Sequence, residues 1–307
     1  MQERIHKLLA HAGFGSRRSC EELIRTARVT VNGKAVQVGD KAMLGTDDIR
    51  VDGRRVRAEK QVYYLVNKPP GFLCTNADPE GRRMVGNLLV GVEERVYPVG
   101  RLDGDSRGLV LLTNDGDLAA KLTHPRNEVA KTYEAEVEGK VTPEDVKKLQ
   151  GGVWLSEGKT GATEVRVLKA NVSHSKIEIT LREGRNREIR RMLVKLGHAV
   201  KTLTRTRIGP LSLRGLGVGK FRQLHLDEVK ELVKSVERQV RRAGKKTAEA
   251  GAGGKMVSKA AARKAKYAPG GRGPVTKPGS RRGLAAGRGK KEKGPEGGGR
   301  KVYDFTL

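Results

Sequence analysis

Gly100-Arg101-Leu102-Asp103-Gly104-Asp105-Ser106-Arg107-Gly108-Leu109-Val110-Leu111-Leu112-Thr113-Asn114-Asp115-Gly116 is the densest signal in the chain. Its first half is mostly polar and punctuated by glycine. Its second half is an apolar run closed by an Asn-Asp-Gly turn. A short apolar stretch at 96–99 precedes it, so the segment reads as a loop between two strands that carries a carboxylate, Asp103, close to an arginine. A fold presents one acid in a cleft in this way, on a loop whose flanks are rigid. The same spacing also suits a polar loop whose Asp caps its own backbone. A calcium loop fits poorly, because Arg107 takes a ligand position and Asn114 stands where the closing Glu is needed.

Working outward, apolar runs and alternations predict strands at 62–66, 96–99, 109–113, 131–137, 163–168 and 176–181. Lys131–Glu138 alternates cleanly, with Tyr133, Ala135 and Val137 on one face and glutamates on the other, which makes one side wet. Helices are expected at 117–122, 142–149 (Thr142 as cap, Pro143 in the first turn) and 187–196, closed by Gly197. Strands outnumber helices and tight turns outnumber crossovers. The expectation is a mainly antiparallel, mixed-sheet α+β domain over 61–240.

Residues 1–60 have a different texture. Ile5, Leu8, Leu9 and Ala12 fall at helical spacing, and Ser16 caps a second helix carrying Cys20, Leu23, Ile24 and Ala27. Two similar hairpins follow, turning at Asn32-Gly33 and Asp52-Gly53. The exposed positions include Arg17 and Arg18, and 57–61 reads as a linker. Residues 241–307 contain 19 basic, 4 acidic and 15 glycine residues. Such a segment cannot bury enough apolar area to order itself, so it is expected to be a disordered, salt-sensitive tether.

The whole chain of 307 residues carries 63 Lys and Arg against 35 Asp and Glu, a net charge of +28. The tail supplies only part of this excess, so the body is basic in its own right and points to a polyanionic partner. No apolar run approaches the ~18 residues of a membrane span. The N-terminus lacks the apolar core of a signal peptide. Cys20 and Cys74 are too few for a multi-cysteine zinc site and suit a reducing cytoplasm without a disulfide. No metal is expected. A phosphate-loop match at Gly158-Lys159-Thr160 misses, because Val153 stands where the first glycine is required.

Two more segments carry chemistry. Arg182-Glu183-Gly184-Arg185-Asn186-Arg187-Glu188-Ile189-Arg190-Arg191-Met192 places five arginines at a strand-to-helix junction, an arrangement suited to phosphate. It also suits a solvated basic face, although Arg190 lies beside the buried stripe and should have a carboxylate partner. Tyr133 is either a core aromatic or a ring that stacks on an unpaired base.

Taken together, Gly-Arg-Leu-Asp at 100–103 with 108–116, Lys131-Thr132-Tyr133, 185–192 and Asn67-Lys68-Pro69-Pro70-Gly71 resemble the motifs of the RsuA/RluB family of ribosomal RNA pseudouridine synthases. Residues 1–60 resemble that family's small RNA-binding domain, the fold of ribosomal small-subunit protein four. The resemblance implies a cofactor-free isomerisation of uridine to pseudouridine. It implies Asp103 as the catalytic carboxylate, Tyr133 against the detached base, and Arg190 as the guanidinium that favours ionised Asp103. Arg101 would fill the stack that the flipped nucleotide leaves, and Arg17, Arg18, Lys68, Arg185, Arg187 and Arg191 would bind RNA. Asp78-Pro79-Glu80-Gly81-Arg82 and Asn186-Arg187-Glu188 resemble the large-subunit branch. The expected partner is therefore large-subunit ribosomal RNA or its assembly intermediate, bound by a monomer. Small-subunit RNA, or a non-catalytic RNA-binding or ribosome-assembly role, is the alternative.

Overall fold

A computed structural model describes residues 2–241. The expected tail at 241–307 lies outside the described residues apart from Arg241. The N-terminal region folds as read: helices Ile5–His11 and Arg17–Arg25 pack on a four-stranded sheet built from the two hairpins. Ser16 caps the second helix by accepting the Ser19 N–H at 3.1 Å. Both hairpin turns take positive φ at their two central residues, Asn32-Gly33 and Asp52-Gly53, as a tight turn between twisted strands requires. Ala27, expected in the second helix, is instead exposed with φ at 53° and lies past the helix end at Arg25. Ile5, Leu9, Cys20, Ile24, Val29 and Ile49 form this region's own core.

The expected linker is extended but fastened. Asn114, in the turn after the long apolar strand, accepts the Val62 N–H at 2.9 Å and donates to the Lys60 carbonyl at 2.9 Å. Lys7 adds a bridge by reaching Glu3 and Asp117, each at 2.8 Å.

A nine-stranded sheet follows. Its main path runs Glu164–Ala170, His174–Leu181, Lys131–Glu138, Val200–Ile208, Arg107–Thr113, Tyr63–Lys68 and Phe221–Gln223. Every neighbouring pair is antiparallel except Val200–Ile208 with Arg107–Thr113. That agrees with the mainly antiparallel, mixed reading. Arg107–Thr113 is buried on both faces: Leu109 and Leu111 enter one core, Val110 and Leu112 another. Helices Gly116–Thr123, Pro143–Gly151 and Glu188–Lys195 cover the sheet.

Of the elements that sequence periodicity missed, two matter most. Val200–Ile208 is the strand that joins the two halves of the sheet, yet it reads Val-Lys-Thr-Leu-Thr-Arg-Thr-Arg-Ile, too polar to announce itself. Residues 226–241 are helical, and Leu232 and Val236 from that helix are buried in the core.

Candidate active site

The loop that enters Arg107–Thr113 is pinned through its backbone. Leu102 is buried against Val66, Val85, Val110 and Leu112. The Arg101 carbonyl accepts from Arg205 Nη1 at 3.4 Å, and the Asp103 carbonyl accepts the Ser106 N–H at 3.1 Å. The Gly104 carbonyl accepts both the Gly71 N–H at 2.7 Å and the Lys68 ammonium at 3.3 Å. Gly108 is required where the loop ends. Its φ is 109°, and a Cβ there would lie 2.3 Å from the Arg205 carbonyl oxygen. The close approach of the two parallel strands therefore depends on a missing side chain.

This anchoring leaves Asp103 partly open, its side chain 35% exposed. The charges around it differ from the sequence reading. Arg190 is buried as expected, but its partner is Asp105, at 3.3 Å, and not Asp103. Arg190 is held from behind by the Val200 carbonyl at 3.0 Å, which aims its other end at Asp105 and Ser106. Asp103 instead faces Arg187, at 3.7 Å, and Arg187 also reaches Asp105 at 3.2 Å. Burial alone would raise the Asp105 carboxyl. The charges of Arg190 and Arg187 and the Ser106 hydroxyl outweigh that, and hold it below the usual carboxylate range.

Asp103 opens onto a cleft of about 820 Å³ lined also by Arg101, Lys131, Tyr133, Arg187 and Arg205. Tyr133 and Arg205 are opposite one another across the ladder between their strands, so they rise from the same face of the sheet. Arg205 is 2% exposed and was not anticipated from sequence. Its Nε donates to the Leu109 carbonyl at 2.7 Å, while its Nη2 is buried without a hydrogen-bond partner. The signal was an arginine two residues after Leu203 in an alternating stretch, legible only once that stretch is known to be a strand. Lys131 is pushed down to about 8, chiefly by burial and then by the charge of Arg205, with Glu188 opposing.

Three expected RNA ligands are committed to the protein itself. Lys68 is wholly buried; its ammonium bonds the Pro69 and Gly104 carbonyls, so it braces the Asp103 loop instead of meeting solvent. Burial also lowers its pKa. Arg191 lies outside the cleft, paired with Glu157 through two hydrogen bonds at 2.8 and 2.7 Å. Arg185 lines the cleft, but its guanidinium is committed to Glu183 and to the Gly158 and Lys159 carbonyls. Arg101 is exposed at the cleft, and Arg17 and Arg18 are exposed on the N-terminal domain.

The arrangement is one carboxylate at the edge of a deep cleft, beside an aromatic ring and several cations. Comparison with known proteins places the chain in a family. The family profile of RNA pseudouridylate synthase matches residues 62–195, and that of the S4 domain matches residues 3–45. Ribosomal large subunit pseudouridine synthase B of Bacillus subtilis (strain 168) is 44% identical over 232 residues, 75% of this chain and 95% of that protein. The chain belongs to the RNA pseudouridine synthases. The synthase of the same name from Vibrio cholerae is 40% identical over 244 residues, 77% of this chain and 76% of the relative. A crystal structure of a pseudouridylate synthase matches with a TM-score of 0.53 and 28% identity, covering 75% of this chain and 99% of its own. The synthase thus has an S4 domain ahead of its catalytic domain. Among the described residues no helix is long and apolar enough to cross a membrane.

Proposed function

We propose that this synthase converts a uridine of large-subunit ribosomal RNA to pseudouridine in the cytoplasm, as a monomer, with Asp103 as its essential carboxylate. The observation that carries the reading is the placement of Asp103. It opens onto a cleft that also holds Tyr133 and Arg205, and it has Arg187 as a counter-ion at 3.7 Å. The large-subunit substrate is carried over from the names of the Bacillus and Vibrio relatives.

The chemistry needs few groups. The C1′–N1 bond breaks and its electron pair stays with N1. The base turns while held, C5 bonds to C1′, the C5 proton leaves and N1 gains one. Nothing is oxidised and no group is transferred, so no cofactor enters the balance. Asp103 serves either by attack on C1′ or by removing the neighbouring sugar proton, and both need its ionised form. Tyr133 holds the detached ring, and Arg101 at the rim fills the vacated stack once the nucleotide has flipped. Arg190 acts at one remove, fixing Asp105 and through it the loop. Residues 1–60 anchor the RNA, and residues 61–240 carry the chemistry.

The test is pseudouridine mapping in ribosomal RNA from a strain lacking the gene, complemented with the wild type or with Asp103→Asn. One large-subunit position should lose and regain its pseudouridine with the wild type, while Asp103→Asn restores less than about 1% of turnover at near-normal RNA affinity. A wild type that modifies no ribosomal RNA sinks the enzymatic reading, and a missing small-subunit position sinks the substrate assignment.

A further inference from the structure

A second feature lies beside the cleft and takes no part in the chemistry above. The hairpin of Val153–Leu155 and Gly158–Thr160 carries the chain's single tryptophan, and Trp154 is 66% exposed. The hairpin that holds it is firmly fixed. Lys195 donates to the Trp154 carbonyl at 2.6 Å, and Arg191 grips Glu157 through two hydrogen bonds. Those bonds push the Glu157 carboxyl down to about 2, so the pair stays charged across the physiological range. Arg185 bonds the Gly158 and Lys159 carbonyls, and the Thr160 hydroxyl bonds the buried carboxylate of Glu188. An indole presented to solvent on so constrained a support is a preorganised platform.

The platform forms one wall of a recess of about 410 Å³ shared with Val194, Arg187, Arg191 and Lys195. Val194 is itself 61% exposed. Arg187 lines both this recess and the cleft, so the two hollows adjoin at Asp103's counter-ion. The lining selects its occupant. An aliphatic partner gains nothing from Arg187 and Lys195, and a free phosphate gains nothing from Trp154. The chain's own segment 241–307, with 19 basic against 4 acidic residues, is repelled. An unpaired nucleotide matches both halves, offering a ring to the indole and a phosphate to the cations. Arg191 is neutralised by Glu157, but Lys195 keeps N–H donors beyond the one given to Trp154.

We propose that this recess binds an unpaired nucleotide of the RNA substrate adjacent to the flipped uridine, its base stacked on Trp154 and its phosphate held by Arg187 and Lys195. The proposal rests on the RNA-modifying reading above and extends it to a specificity contact. Because the stack replaces solvent on one face of an indole, its removal should cost about tenfold in RNA affinity.

The test uses the single tryptophan of the full-length wild-type protein as its own reporter. Titration with an RNA containing the target loop should quench the emission and shield the indole from acrylamide. A fully paired duplex of the same sequence should do neither. Trp154→Ala should raise KM about tenfold while changing kcat less than about twofold, and Trp154→Phe should recover most of the affinity. Because Trp154 is exposed, the alanine variant should keep the wild-type circular dichroism.

Isomerisation at the normal rate with no change in Trp154 emission would overturn the proposal and leave the enzymatic reading intact. Equal quenching by duplex would overturn stacking on an unpaired base. An indole already shielded in the free protein would show that something other than RNA covers it, and would also overturn the proposal. Failure of the wild type to modify ribosomal RNA is a separate result, read from pseudouridine mapping and not from fluorescence.

Discussion

Arginines in the two domains meet opposite fates. Arg17 and Arg18 open a helix of the S4 domain, both exposed, and among the described residues neither has a carboxylate within ion-pair distance. Arg25 and Arg28 of the same domain are paired, with Glu22 and Asp52, so the open pair is a local exception and not the domain's habit. In the cleft, the buried Arg190 and Arg205 are tied to carboxylates or carbonyls. Cations that face water unpaired can meet a mobile polyanion at small cost. Cations held by fixed partners set geometry and have little freedom left to bind. On the proposed function, one residue type grips RNA in one domain and braces the loop in the other.

The strongest way to break this comparison is to remove the most buried brace. Arg205→Met keeps most of the volume and deletes the charge. The Leu109 and Arg101 carbonyls lose their donor, which destabilises, but an uncompensated buried guanidinium also disappears, which offsets it. The expected outcome is a Tm within a few degrees of wild type and a kcat lower by about 10²-fold, because the loop bearing Asp103 is no longer held in register. Arg205→Lys should not rescue, since an ammonium cannot span the two carbonyls. Thermal melts beside single-turnover kinetics decide the matter. Activity that falls only in proportion to folded protein would make Arg205 a packing residue.

Charge reversal at Arg17 and Arg18 probes the gripping side and should have a smaller effect of another kind. KM should rise about tenfold with kcat preserved, and the log–log salt dependence of RNA affinity should flatten by roughly 0.7–0.9 for each phosphate no longer neutralised. A collapse of kcat at saturating enzyme would mean that the S4 domain helps to build the active site. The bridge from Lys7 to Asp117 and the fastening of residues 60 and 62 to Asn114 show where such coupling would travel.

What was legible in the sequence follows the same divide. The Asp103 loop, Tyr133 and the two Asn-Gly-type hairpins depend on local patterns, such as alternation, glycine punctuation and turn dipeptides, and those appear in the chain as written. The sequence marks Arg190 as partly buried with a carboxylate partner, yet it does not separate Asp105 from Asp103, because a difference of two positions in a loop has no periodic signature. Lys68 looks like a surface ligand because nothing local says that the carbonyl of Gly104, 36 positions away, will accept its hydrogen bond. Arg205 and its strand were missed for one reason. A stretch of Thr and Arg gains its strand character from pairing with Lys131–Glu138 and Arg107–Thr113, which is long-range information.

The finest comparison lies within the cleft, between its arginines and Lys131. A guanidinium stays charged whatever surrounds it, whereas a buried ammonium can shed its proton. Lys131 donates to the Val129 carbonyl at 3.1 Å and lies close enough to Arg205 for repulsion to add to the cost of burial, which together bring it from 10.5 to about 8. Between pH 8 and 10.5 the unfolded chain keeps a proton that the native state has released, so the native state gains stability as pH rises through that window. Below pH 8 both states are protonated and the burden of the buried charge is carried in full. Wild type should therefore gain Tm relative to Lys131→Met by a few degrees between those limits and show a constant difference below them. Parallel melting curves from pH 7 to 10.5 would show that burial does not separate this cation from those on the S4 domain. Repeating the series in Arg205→Met sharpens the test: with the neighbouring charge gone, the lower edge of the window should move upward, because part of the depression was repulsion and not burial.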